Sequence, residues 1–302
     1  MMNHFVKFGL TGLLALILVG FAAGVSRAEE ITCQGFLGAV TVDNLRVPQN
    51  GSCTLRGTKV EGTIKVENGA SLTAWQVRVM GNVQAEGAAV VRVLAGSTVG
   101  GSIQLKQGGA AQVDQVQVNA DIQYESNSGI LSATRNQVGG NVQVFQNTGG
   151  VIIKQNMIDG NLQCKENTPP HTGGNNIVQG NKEDQCANLQ PGDTTPPETT
   201  PLTGPPATTP AFEATFTFTG SDTPTPSSLL LFECALDSAA FQPCDSPHTV
   251  QGLTPGQHTL QVRALDMALN LDSTPASYTW SIQSSSGAAP TTKIYLPFLV
   301  RN

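Results

Sequence analysis

From residue 43 onward, short runs of alternating apolar and polar positions recur about every twenty residues. Successive segments open GTIKV (62–66), GNVQA (81–85), GSIQL (101–105), ADIQY (120–124), GNVQV (140–144) and GNLQC (160–164), with DNLRV (43–47) fitting in front and GNKED (180–184) behind. Their third residues, Leu45, Ile64, Val83, Ile103, Ile122, Val142 and Leu162, fall 19 or 20 positions apart. Within one repeat, Val142 and Val144 flank Gln143, Asn147-Thr148-Gly149-Gly150 marks a corner, residues 151–153 form a second apolar run, and Asn156 marks another corner. Alternation of period two predicts strands with one buried face. No stretch carries helical periodicity, so the expectation is an all-β chain.

A twenty-residue unit cannot bury its own apolar face, whereas stacked units bury a continuous one. The pattern therefore predicts a right-handed parallel β-helix, a solenoid with one repeat per coil. At a strand spacing of about 4.8 Å, roughly eight coils make a rod on the order of 40 Å long. The third-residue column points inward, each member contributing about 1.5–3 kcal/mol when fully buried. The adjoining column, Arg46, Lys65, Gln84, Gln104, Gln123, Gln143 and Gln163, points outward. It is a solvated face or a flat, weakly charged amide surface suited to sugars, and its five glutamines are the candidate ligand face. Asn127, Asn147 and Asn167, and likewise Asn136, Asn156 and Asn176, recur at twenty. Asparagine tolerates sharp corners and hydrogen-bonds its neighbours, so both columns read as structural.

Six cysteines allow fifteen pairings. Proximity in sequence suggests Cys33–Cys53, Cys164–Cys186 and Cys234–Cys244. The first two pairs bracket the repeat array, where exposed strand edges need blocking. No CxxC occurs and the histidines lack ligand spacing, so neither a metal site nor a cofactor is expected.

The N-terminus places Lys7 before an apolar run over 8–23 and Ser26-Arg27-Ala28 after it. That is the layout of a signal peptide (1–28) cleaved after Ala28, and it predicts an extracellular or cell-surface protein with no membrane span in the mature chain. The β-helix with its stapled caps then occupies 29–187. Residues 188–211 are rich in Pro and Thr and read as a linker. Alternating runs separated by Gly/Pro turns over 212–283 suggest a β-sandwich, and 284–302 form a C-terminal tail that is a sorting signal or a last strand. Charged residues make up only 13% of the chain and the formal net charge is −6, which argues against a nucleic-acid binder.

PPET (196–199), FECALDSAAFQPC (232–244), GLTPGQHTLQVRALD (252–266) and DSTPASYTW (272–280) resemble bacterial Ig-like or fibronectin-III-like repeats of large surface proteins. The resemblance implies an Ig-like sandwich, a hairpin bridged by Cys234 and Cys244, and a role in spacing or adhesion. Where that family carries D-x-A-G-N-x-D, this chain has Leu269 in place of the turn glycine. The array itself is similar to secreted bacterial proteins with GNVQ-type coils, which carry no assigned activity.

The expectation is a non-enzymatic exported structural or adhesive protein, with cell-envelope glycans or other surface proteins as candidate partners. The alternative is a polysaccharide-binding or polysaccharide-cleaving β-helix. Glycoside hydrolysis needs two carboxylates at a set separation, and the coils offer only Asp114, Asp121, Asp159, Glu67, Glu86 and Glu125, with no Asp-x-Asp. Asp121 and Asp159 are the carboxylates a cleaving enzyme would need. No Gly-x-Ser-x-Gly elbow or phosphate-binding Gly-Lys loop is present. Trp75 is core or a sugar platform, and Trp280 is expected in the sandwich core.

Overall fold

Each strand of the repeat pairs with its counterpart one coil further on. The computed structural model describes residues 30–189 and 191–283, so the expected signal peptide and C-terminal tail lie outside the described residues. Three parallel sheets of nine, eight and eight strands wind into a β-solenoid of about eight turns. The nine-stranded sheet runs from Glu30–Thr32 through Val83–Glu86 and Ile103–Lys106 to Lys182–Asp184, in register Val83↔Ile103 and Gln84↔Gln104. We call it the ladder face. The second sheet includes Ser52–Arg56, Ser71–Trp75, Val90–Leu94, Ala110–Asp114, Leu131–Thr134 and Val151–Lys154, and is the docking face. The third consists mainly of two-residue strands such as Arg78–Val79 and Met157–Ile158.

The letters of GNVQ each have a physical role. A Cβ on Gly81 or Gly160 would lie 2.6 Å from the carbonyl oxygen of Gly62 or Gly140 one coil below; only glycine permits that approach. The second position offers a side-chain oxygen to the main chain of an adjoining coil: Asn82 Oδ1 accepts from Ser102 N–H at 2.8 Å and Asn141 Oδ1 from Asn161 N–H at 2.8 Å. The third position is core, with Leu45, Ile64, Val83, Ile103, Ile122, Val142 and Leu162 fully buried. The fourth is the outward glutamine. Tyr124 stands where neighbouring coils have Leu105 and Val144. It is fully buried and its hydroxyl donates to Ser132 O at 2.7 Å; burial pushes its titration upward.

The three disulfides are Cys33–Cys53, Cys164–Cys186 and Cys234–Cys244. The first ties the opening coil to the next. The second ties the last long strand of the ladder face to a 3-10 turn, Gln185–Asn188, whose Cys186 is buried in the solenoid core.

The C-terminal unit is also all-β, built from small sheets. A five-stranded sheet has the order Thr208–Thr209, Ala276–Ile282, Gly256–Leu265, Leu231–Leu236, Gln242–Cys244; its first pair is parallel and the rest antiparallel. Two-stranded sheets join Glu198–Thr199 to Gly220–Ser221 and Glu213–Phe216 to His248–Gln251. Thus parts of the Pro/Thr-rich segment pair with the C-terminal strands. Phe216, Leu260, Val262 and Trp280 form the core with the Cys234–Cys244 bridge. Asp272 fastens the segment: its carboxylate accepts from Thr199 N–H at 2.9 Å and Thr274 N–H at 2.8 Å. Burial opposes its ionisation, but the hydrogen bonds from Thr199 and Thr274 outweigh that and hold its carboxyl below the usual range.

This unit sits on the docking face. Leu231, Leu265, Leu269 and Leu271 pack on Trp75 and Leu94, and Leu229, Met267 and Ala268 pack on Ile152, Val90, Ala110 and Ile130. Polar contacts flank the apolar seam: Arg56 Nη2 to Asp245 Oδ2 at 2.7 Å, and Lys154 Nζ donating to Ala268 O at 2.6 Å. Leu269 has φ +64°. A non-glycine residue there costs about 1–2 kcal/mol. The side chain it brings packs into the seam against Trp75 and Leu94.

Candidate functional site

Of the two sheets away from the docking face, the ladder face has the longer strands, three or four residues against two. Its outward glutamines form one continuous directional chain. Gln84 Nε2 donates to Gln104 Oε1 at 3.0 Å, Gln104 to Gln123, Gln123 to Gln143 and Gln143 to Gln163 each at 2.8 Å, and Gln163 to Glu183 Oε2 at 2.7 Å. Every amide points its N–H toward the C-terminal end, so the side-chain dipoles add. Glu183 supplies a carboxylate at the N–H end. Lys65, in register with Gln84, supplies an ammonium beside the oxygen end. The arrangement follows the rule of a helix macrodipole with complementary charges at its ends. Arg46 is drawn off to Glu30 at 2.9 Å and Glu67 at 3.5 Å.

A primary amide carries two donors and two acceptor lone pairs, and the ladder uses one of each per internal rung. Each rung therefore keeps one N–H and one lone pair, repeated about every 4.8 Å. Two residues along each strand lies a second outward column, Glu86, Lys106, Glu125, Phe145 and Lys165. Its charges alternate, and Lys106 Nζ meets Glu125 Oε2 at 2.7 Å.

Between the columns, over the N-terminal coils, lies an open trough of about 680 Å³ lined by Gln49, Lys65, Glu67, Gln84, Glu86, Gln104 and Lys106 among others. Three residues connect the strands after Glu86 and after Lys106, whereas five connect them after Glu125 and after Phe145. Four residues connect the strands after Val47 and after Val66, which the trough also follows, so it coincides with the corners shorter than five residues. A smaller depression of about 240 Å³ follows on the same column at Glu125, Phe145 and Lys165. The sequence pattern marked the glutamines but not the trough. Corner length was the signal that could have located it.

The two asparagine columns are internal. Asn127, Asn147, Asn136 and Asn156 are buried, each amide bonding both the next coil's asparagine and a main-chain carbonyl. Asp121 belongs to the corner column of Asn44, Thr63, Asn82, Ser102, Asn141 and Asn161. Its Oδ1 accepts from Asn141 N–H at 2.6 Å and Nδ2 at 3.2 Å. Asp159 lies exposed by the third sheet, beside Gln137 and Met157. Asp114 is buried and clamped by Arg135 at 3.0 and 2.6 Å and by Thr134 at 2.7 Å. The structure therefore does not bring Asp121 and Asp159 together in a cleft. Trp75 is buried in the seam against Leu231 and Leu265, so it is no sugar platform, while Trp280 fills the C-terminal core.

Among the described residues, one carboxylate set could hold a hard cation. Asp193, Asp222 and Asp266 bring oxygens within 4.8 Å of one another. Burial, with Asp222 and Asp193 nearby, pushes the Asp266 carboxyl up to about 6. The cysteine–histidine groupings are the disulfides Cys164–Cys186 and Cys234–Cys244 with His171 and His248 beside them. No helix among the described residues is long and apolar enough to cross a membrane. No protein-family model, curated protein or solved structure matches the chain.

Proposed function

We propose that this is an exported, non-enzymatic structural or adhesive protein of the cell surface or extracellular matrix, with residues 1–28 as its cleaved signal peptide. The observation that carries the reading is the hydrogen-bonded glutamine column Gln84–Gln104–Gln123–Gln143–Gln163 on a face the C-terminal unit leaves open. A rigid, weakly charged amide surface holds a partner by many weak contacts rather than by transforming it. The C-terminal unit, read as an Ig-like module, stiffens and spaces the rod. The disulfides fit an oxidising compartment. Of the two carboxylates a cleaving enzyme would need, Asp121 is held as an acceptor in the corner column, while Asp159 stands exposed by the third sheet, which speaks against the polysaccharide-cleaving alternative.

The test is fractionation of producing cells expressing the full chain. Retention of the mature protein in salt-washed envelopes, and its release when Gln104→Ala and Gln143→Ala are combined, is the expected result. Free secretion of the wild-type protein, or glycan cleavage abolished by Asp121→Asn or Asp159→Asn, would overturn it.

A further inference from the structure

The trough at the oxygen end of the ladder has features the remainder of the face lacks. No hydrogen bond from a described residue reaches Gln84 Oε1, whereas Gln104, Gln123, Gln143 and Gln163 each receive one from the rung before. Lys65 and Glu86 line the trough without an ion-pair partner among the described residues, while Glu67 is engaged by Arg46 and Gln49 and Lys106 by Glu125. Beside the same rung the trough thus presents an unengaged ammonium, carboxylate and amide oxygen, and the side-chain amides of Gln49, Asn68 and Gln107 line it as well.

We propose that this trough binds a linear neutral glycan, its chain running along the solenoid axis and its hydroxyls continuing the hydrogen bonding that the ladder leaves open at Gln84. The inference rests on the adhesive reading of the ladder face and names its ligand. Three features select the ligand class. A hydroxyl is both donor and acceptor, and so is each rung's unused half. The four charged lining side chains Lys65, Lys106, Glu67 and Glu86 balance, so a polyanion or a polycation gains no net attraction. The rungs from the Gln49 coil to Gln104 span about 14 Å at the coil spacing, an open-sided length suited to part of a chain rather than an enclosed small molecule. The glutamines are already ordered by their neighbours, so binding does not have to immobilise them. Phe145, one coil beyond Glu125 on the second column, lines the smaller depression further along.

The test uses the mature full chain titrated calorimetrically with cellohexaose, maltohexaose and N-acetylchitohexaose as neutral probes. Hexagalacturonate and the chitosan hexamer are the charged probes. At least one neutral oligomer is expected to bind saturably, and at least tenfold more tightly than either charged one. Combining Gln84→Ala with Glu86→Ala is expected to weaken it at least tenfold at unchanged melting temperature. Gln117→Ala with Gln137→Ala, on the third sheet, is expected to have no effect. Absence of binding by all three neutral oligomers, preference for a charged one, or indifference to the trough variants would overturn the proposal. Envelope retention of the same variants separates the two levels. Retention that depends on Gln104 and Gln143 without neutral-oligomer binding sinks the trough assignment alone. Oligomer binding without retention sinks the adhesive reading alone.

Discussion

Replacing Asn147 by alanine tests whether the internal asparagine columns, rather than the outward glutamines, hold the coils together. Asn147 is fully buried. Its Oδ1 accepts from the Asn127 main-chain N–H at 2.9 Å and from Asn127 Nδ2 at 3.0 Å; its Nδ2 donates to Tyr124 O and Asn167 Oδ1, both at 3.0 Å. The acceptors lose less, since Asn167 Oδ1 still receives the residue 147 N–H at 3.1 Å. The Asn127 main-chain N–H and one N–H of its side-chain amide are left unpaired in a buried corner, the other amide N–H keeping Leu105 O at 3.0 Å, and each unpaired donor costs about 1–3 kcal/mol. The expected loss is therefore about 4 kcal/mol. Gln143→Ala also removes two amide bonds, but from a half-exposed face where water replaces them, and should cost at most about 1 kcal/mol. Urea unfolding followed by circular dichroism gives both numbers. Hydrogen exchange should show the Asn127 amide losing protection only in Asn147→Ala, because a stacked array opens locally at its weakened interface. Equal losses for the two variants would refute the assignment of load to the buried columns.

Further outcomes follow from the seam, the titrating groups and the caps. Leu269→Asp should loosen the docked unit and make Trp75 more accessible to acrylamide, with Trp280 unaffected; unchanged quenching would show that the seam does not depend on Leu269. The Asp266 carboxyl is raised to about 6, above its unfolded value near 3.9, first by burial and then by Asp222 and Asp193. The folded state thus binds the extra proton between those values, and stability should fall as pH rises from about 4 to 6. A melting series of Asp266→Asn should lack that decline. His258 is raised, first by Thr254 O at 2.8 Å and then by Asp237 at 2.6 Å, since both ring nitrogens face acceptors. Its contribution is present below about pH 6.5 and lost as pH rises through the folded value, so His258→Gln should flatten the alkaline side of the same series. Replacing Cys33 and Cys53 by serine opens a link of sequence separation 20; the expected cost is about 3 kcal/mol in the chain-entropy description, read by urea unfolding.

The periodic features were legible in the sequence because stacking repeats every environment. A third-position column of Leu, Ile and Val had to be core, and the adjoining glutamines had to face out. Asp121 looked like a catalytic candidate when taken singly. In column with Asn82, Ser102 and Asn141 it is a corner acceptor. The docking of the C-terminal unit was not legible, because nothing periodic announces it. Trp75 and Leu94 share one outward column and Ile152 stands in another, but those columns mix apolar with polar residues, Arg56 before Trp75 and Ser132 before Ile152, and the three gain meaning only opposite Leu231, Leu265 and Met267. Leu269 likewise read as a missing glycine, whereas its side chain packs into the seam.

The docked unit also bears on how such a rod can change its length over evolutionary time. The central coils hand one another a glycine contact, a corner acceptor and a glutamine, so a duplicated coil finds its neighbours already suited to it; a residue inserted within a strand would turn that coil's core positions outward, whereas the corners already differ in length. Yet the contacts from Arg56 to Asp245 and from Lys154 to Ala268 grip the stack at two points six docking-face strands apart, counted inclusively from Ser52–Arg56 to Val151–Lys154. A coil added between them would shift one anchor by a full rung and pull it out of reach. A coil added beyond Lys154 would leave both in place. The second unit thus acts as a gauge for the coils beneath it, and length variation in this architecture should be confined to the coils outside the two anchors.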